Sequence, residues 1–211
     1  MRSVLWGFIS LLITSCATHE NPRTKSLSYT DQIFTPAPFI AHTETAPFKS
    51  YLTMNLPYAG FESLLREVEK SVGVKLKNRG EAHITVITPP EFDKVLSKNL
   101  SMKDINSVAE KLRIQQTPFK PLCVGKALAK LQGAEQTTYF VVVDAEPLFK
   151  IRKEIQDLYV AKGGNAADFN PDLFFPHVTL GYTERDLHFE DGVKKDASTC
   201  LINLEPGPRT K

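Results

Sequence analysis

One architecture occurs twice in this sequence, and that repeat limits the folds open to it. The first copy begins with "SYLTMNLP", whose alternating apolar and polar residues suit a β-strand. In "GFESLLREVEKSVG", Phe61, Leu64, Leu65, Val68 and Val72 fall at helical spacing, and Gly73 supplies a stop. "AHITVIT" is rich in β-branched residues and predicts a second strand. The second copy has the same order. "TTYFVVVDAE" predicts a strand. "PLFKIRKEIQDLYVAKGG" predicts a helix, with Pro147 near its start and Gly163 and Gly164 after its end. "FFPHVTLGYT" predicts the closing strand. Between the copies, "MKDINSVAEKLR" predicts a helix and "FKPLCVGKALAKL" a strand. "STCLINLEP" predicts one more strand, and Asp186 to Lys195 reads as loop. A duplicated strand–helix–strand unit implies an α+β chain with two lobes about an approximate two-fold axis.

Each copy ends in His-x-Thr. Side chains in a strand alternate faces, so residues i and i+2 share one. His83 and Thr85 therefore point together, as do His177 and Thr179, while Ile84, Val86, Val178 and Leu180 point the other way. Two lobes that each present such a pair can bring both to one cleft. Histidine titrates near pH 6.5, so a neutral and a protonated ring coexist near neutrality and form an acid–base pair. The hydroxyls and imidazole N–H groups would surround a tetrahedral oxyanion as donors. Gly181 continues the His177 face, where it leaves room for a ligand or marks a bulge. Phe175 and Tyr182 flank the second motif as candidates to stack on a nucleobase. Strict alternation, however, places Tyr182 on the core side.

"HITV" and "HVTL", each closing a strand–helix–strand unit, resemble the paired signatures of the two-histidine (2H) phosphoesterase superfamily. Its members include 2′,5′-RNA ligase-like proteins and cyclic nucleotide phosphodiesterases. The resemblance spans roughly Tyr51 to Thr183. It implies a bilobal fold with two antiparallel-type sheets, helices outside and a central cleft. It also implies metal-independent phosphodiester hydrolysis with no cofactor, His83 and His177 as catalytic residues, and Thr85 and Thr179 as phosphate-binding hydroxyls. The expected substrate is a 2′,3′-cyclic phosphate or a related nucleotide or RNA-end phosphodiester. The alternative from another class is a non-catalytic envelope lipoprotein that binds a phosphorylated ligand or a protein partner.

Other chemistries lack their patterns. Zinc needs three or four ligands, and His-x-Thr offers one per strand without a His-Glu-x-x-His or paired-cysteine spacing. No Gly-x-Ser-x-Gly is present, and "VGKALAK" is not a phosphate-binding loop. The formal net charge is +2 with both signs interspersed, which argues against duplex nucleic acid as a partner. A monomer is expected. Lys94, Lys98, Lys103, Lys194 and Lys195 read as exposed charges. His19, His42 and His188 are given no role.

The N-terminus carries Arg2, the apolar run "VLWGFISLLIT" and "ITSC". The run is too short to span a bilayer as a mature helix. It resembles a bacterial lipoprotein signal peptide over residues 1–15, with acylation at Cys16. That implies a lipid anchor to a membrane and a location in the cell envelope, on the periplasmic side of the outer membrane in a Gram-negative cell. Residues 16–49, polar and proline-containing, read as a flexible tether, and 50–211 as the folded domain. Cys123 and Cys200 remain; an oxidising compartment permits a disulfide, and two buried thiols are the alternative.

Overall fold

Both copies of the repeat fold as their patterns predict. The structure, a computed structural model, describes residues 26–44 and 46–208. In the first copy β3 (Ser50–Leu56) leads through α1 (Tyr58–Val72) to β4 (Ala82–Ile87). In the second, β6 (Ala134–Asp144) leads through α4 (Glu146–Ala161) to β7 (His177–Tyr182). Helix α1 buries Phe61, Leu64, Leu65 and Val68 along one stripe and ends at Gly73, which takes φ 73°. Helix α3 (Met102–Lys111) is capped by Ser101, and the short α2 (Pro89–Lys94) by Thr88, each through a capping box. β5 (Lys120–Leu131) turns through Gln132 and Gly133, both at positive φ, into β6.

With β1 (Ser26–Tyr29), β2 (His42–Thr43) and β8 (Cys200–Pro206), the strands form one eight-stranded sheet in the order β1-β8-β5-β6-β7-β4-β3-β2. Among the described strands, only β1 and β8 run parallel. The α+β class is as expected, but the two expected sheets are one. The halves join where β4 meets β7, and a single registered pair, Ile84↔Val178, bridges them. Hydrogen bonding continues across the approximate two-fold axis because both edges present unpaired backbone groups there. One sheet face packs under α1, α3 and α4 as the main core, with Ile84, Val141, Val178, Ile105 and Ile151 at 0–1% exposure. The other face carries a smaller cluster in the second half, from Cys123, Ala127, Phe140, Val142, Leu187 and Val193.

Each His-x-Thr strand has a bulge directly after its threonine. On β4 the pairs Thr53↔Thr85 and Leu52↔Ile87 leave Val86 unopposed. On β7 the pairs Phe140↔Thr179 and Tyr139↔Gly181 leave Leu180 unopposed. A bulge withdraws backbone groups from the ladder, so another partner is needed. The Val86 carbonyl accepts from Arg152 Nη1 at 2.7 Å, and the Leu180 carbonyl accepts from Asn78 Nδ2 at 2.5 Å. Gly181 is required at its bulge, and the bulge turns it to the core side with Tyr139 instead of continuing the His177 face. A Cβ there would lie 2.9 Å from Leu76 Cβ and 3.0 Å from the Lys77 carbonyl oxygen.

Arg152 is 1% exposed, and its guanidinium is fully engaged. Besides Val86 it donates to the Pro171 and Asn170 carbonyls, at 2.8 and 3.0 Å, and to Glu91 Oε1 at 2.8 Å. The rings of Phe169 and Phe174 lie 4.8 and 5.0 Å from its Cζ. One side chain thus ties α4, the β4 bulge, the start of α2 and the segment leading into β7.

Part of the segment expected as tether is folded. Ser26–Tyr29 pairs with β8, and Ile33 is buried at 1% against α1. Gly60 permits that contact, since a Cβ there would lie 2.7 Å from Ile33 Cγ2. The proline-rich composition masked these contacts because they are made at long sequence separation. Residues 1–25, including Cys16, lie outside the described residues. Among the described residues, no helix is long and apolar enough to cross a membrane. Cys123 and Cys200 form a disulfide between β5 and the start of β8, closing a sequence separation of 77.

Two stability outcomes follow. Arg152→Met strands Glu91 and several carbonyls and is expected to cost roughly 3–5 kcal/mol in urea unfolding. Arg152→Lys should recover little of it, because an ammonium cannot reproduce the planar fork. Reducing the Cys123–Cys200 bridge should cost roughly 2–5 kcal/mol. An unchanged midpoint in reducing buffer would show that the bridge does not constrain the chain.

Candidate active site

The register at the β4–β7 seam builds the site. Ile84 faces Val178 in an antiparallel pair, and both side chains point into the core. One residue to either side, His83 comes to lie across from Thr179, and Thr85 across from His177. The four side chains share the sheet face away from the helices. The two histidines are diagonal neighbours, for which sheet geometry gives a separation of roughly 7–8 Å. Thr53 and Asn55 of β3, paired with Thr85 and His83, extend this face on one side, and Phe140 of β6, paired with Thr179, extends it on the other.

The two halves are alike in backbone and different in surroundings. His177 Nδ1 lies 2.7 Å from the Phe175 carbonyl oxygen. That oxygen can only accept, so Nδ1 carries the proton and Nε2 keeps its lone pair. Burial, then the positive charge of Lys195, pushes this imidazole down to about 3. The edge of the ring packs on Phe140, with centroids 5.7 Å apart. His83 is also held below its ordinary value by burial, but Glu81 opposes that shift and favours the protonated ring. Glu81 Oε1 is 4.0 Å from His83 Nδ1.

The hydroxyls differ too. Thr179 Oγ1 donates to Asp186 Oδ2 at 3.0 Å. Lys195 Nζ donates to Asp186 Oδ1 at 2.8 Å and lies 3.4 Å from Thr179 Oγ1. Thr85 makes no such bond among the described residues. The four converging donors expected from the motif are therefore not equivalent, because Thr179 and His177 Nδ1 have committed their protons.

Lys195 corrects its expectation as an exposed charge: it is 4% exposed, in an ion pair with Asp186. Burial pushes the Asp186 carboxyl up, but Lys195 and His188 outweigh it and hold the group below its ordinary value. No spacing rule singles these residues out, since they sit in an irregular segment that folds back over the sheet face. The only sequence signal was a run of charges, which is normally solvated. His42, set aside in the tether, stacks on Tyr51 at 4.0 Å and an interplanar angle of 16°. Tyr51 shares the face of Thr53 and Asn55, so this pair flanks the first half of the site.

The aromatic residues near the second motif are both on the site side. Phe175 stacks on Phe189 with centroids 6.0 Å apart, and Lys194 Nζ lies 5.9 Å from the Phe175 ring. Tyr182 is not on the core side. The bulge at Leu180 shifts the alternation by one residue, so Tyr182 pairs with Thr138, whose hydroxyl accepts from the Leu187 backbone over the smaller cluster. Partial burial works against the Arg79 charge, but the Tyr182 hydroxyl, with Asp186 and Glu81, more than restores it. Among the described residues, no three His, Cys, Asp or Glu side chains are grouped to hold a metal ion.

Comparison with known proteins gives one family. The profile described as Swiss Army Knife, 2H phosphoesterase domain, matches residues 50–188, a span that contains both His-x-Thr strands and Asp186. Comparisons with curated proteins and with solved structures found no match. The match covers more than half of the chain and both strands of the seam, and on that evidence the chain belongs to the 2H phosphoesterase superfamily.

Proposed function

We propose that this protein is a phosphodiesterase that opens 2′,3′-cyclic phosphates, or related nucleotide and RNA-end diesters, by acid–base catalysis between His83 and His177, without a metal ion or other cofactor. The family supports hydrolysis of phosphodiesters. The observation that carries the finer reading is the seam register, which opposes each histidine to the threonine of the other half. The proton on His177 Nδ1 favours that residue as base, since Nε2 is left to take a proton from water. The Glu81 carboxylate favours His83 as the acid. In the step, the water oxygen bonds to phosphorus, its proton goes to His177, and the bond from phosphorus to one ring oxygen breaks as His83 protonates that oxygen. Thr85 donates to a non-bridging oxygen and stabilises the charge that builds there.

The substrate's base would lie against one of the two aromatic pairs flanking the site, with Phe175 and Tyr182 among the contacts. The protein would act as a monomer held to a membrane by a lipid on Cys16, within the cell envelope. The Cys123–Cys200 disulfide supports an oxidising compartment.

Turnover of 2′,3′-cyclic mononucleotides in chelator is the direct test. His83→Ala and His177→Ala should each lower kcat by about 100- to 10,000-fold. Robust turnover in either variant would sink the mechanism, and loss of wild-type activity in chelator would bring in a metal. The pH profile provides a further check. The acid is lost as pH rises through the lowered value of His83, and the base is lost as pH falls toward about 3, the value for His177. The curve of kcat/KM should therefore be a bell with both limbs below 6.5, the ordinary histidine value. An optimum above neutrality would mean that the roles are assigned wrongly.

A further inference from the structure

The buried ion pair beside the second motif is not part of the motif, yet it touches it. Lys195 Nζ reaches Asp186 Oδ1 at 2.8 Å and Thr179 Oγ1 at 3.4 Å, and lies 5.5 Å from the Phe140 ring centroid. The same ring packs against the His177 imidazole. An ammonium removed from water is costly unless it is paired, and Asp186 pairs it. The pair is therefore held at one fixed point next to the reacting groups. Among the described residues, the first half has no equivalent pair. Its nearest charges, Glu81 and Arg79, have side chains that are 45% and 60% exposed.

We propose that Lys195, anchored by Asp186, is the positioning residue of the second half-site: it fixes the direction of the Thr179 hydroxyl and keeps His177 a proton acceptor. With Lys195 on one side of Thr179 Oγ1, the hydroxyl proton is driven toward Asp186, which leaves an oxygen lone pair on the open side. With a positive charge lodged beside Phe140, protonation of His177 is opposed by like charge. The pair thereby turns a symmetric backbone into an asymmetric catalyst, in which one histidine receives the proton and the other delivers it. This assignment rests on the acid–base reading of the two histidines.

The charged and titratable groups around His177 are Lys195, Asp186 and His188, from the segment after β7, and His83 of β4, its diagonal neighbour across the seam. β6 contributes the Phe140 ring, and β4 contributes Thr85 across the seam. Burial is the main cause of the low proton affinity of His177 and remains in any Lys195 variant; of the two charges of the pair, Lys195 acts on the ring more strongly than Asp186, so its removal takes away an opposing field. The His177 proton affinity must then rise.

The test is an NMR titration of the histidine ring resonances in the full folded chain, which needs no turnover. In the wild type, His177 should stay unprotonated until the pH approaches about 3. In Lys195→Met its titration should move up by roughly one unit or more, about tenfold in proton affinity. Lys195→Arg should restore the wild-type position. If Lys195→Met does not fold, the double variant Asp186→Asn with Lys195→Met leaves no buried charge unpaired and should show an upward shift of the same sign. A His177 titration unmoved in a folded variant would overturn the proposal. On a cyclic nucleotide, the acid limb of kcat/KM should follow the shifted value. An even loss of rate at every pH would reduce Lys195 to a structural role. An upward NMR shift without any activity in the wild type would instead count against the enzymatic reading alone.

Discussion

The antiparallel pair Ile84↔Val178 is the constraint on which the rest depends. It is the one registered contact between two half-sheets, each otherwise built from its own strands. Its register allows only one arrangement of the neighbours. A slip by one residue would set Ile84 opposite His177 or Thr179, so one half would turn its histidine into the core and its apolar residues to the surface. The burial of those two residues at 0% is therefore also what exposes the four polar side chains of the motif. The hydrophobic core and the site are opposite faces of one pairing.

The bulges fix the other end of each motif strand. Both follow the threonine, and both need a side chain from elsewhere to satisfy the freed carbonyl. Arg152 does this on β4 and Asn78 on β7. Stability and site geometry are thus coupled through residues that touch no substrate. The coupling is not symmetric. Arg152 is deeply buried between two aromatic rings, while Asn78 belongs to a half-exposed loop that also receives the Tyr58 hydroxyl at 2.9 Å. On the site face, Asp186 and Lys195 are buried beside the second motif, while Glu81 and Arg79 beside the first are open to water. Two halves with the same backbone therefore hold their imidazoles in different electrostatic settings.

Much of this was legible in the linear chain. The helix stripe of Phe61, Leu64, Leu65 and Val68, and the period-two pattern around His83 and His177, are local signals that tertiary packing reinforces. The shared face of each histidine and its threonine follows from pleat geometry alone. What the linear chain does not carry is non-local. Tyr182 was misplaced because a bulge at Leu180 broke the alternation, and the need for it lies in Leu76 and Lys77, a hundred residues away in sequence. Ser26–Tyr29 and Ile33 looked like tether because their partners, β8 and α1, lie far along the chain. Lys195 looked solvated because nothing near it in sequence announces Thr179 or Phe140.

By itself, the sequence determined that a strand–helix–strand unit occurs twice, that each unit closes on His-x-Thr, and that each such pair stands opposite an apolar face. These are consequences of side-chain periodicity, which acts over a few residues. Only the tertiary structure decided that the two units share one sheet, that His83 meets Thr179 and Thr85 meets His177, and that Lys195 and Asp186 distinguish the halves. Those outcomes depend on hydrogen-bond register and on burial of charge. Both are set by contacts between distant segments, and neither leaves a periodic trace.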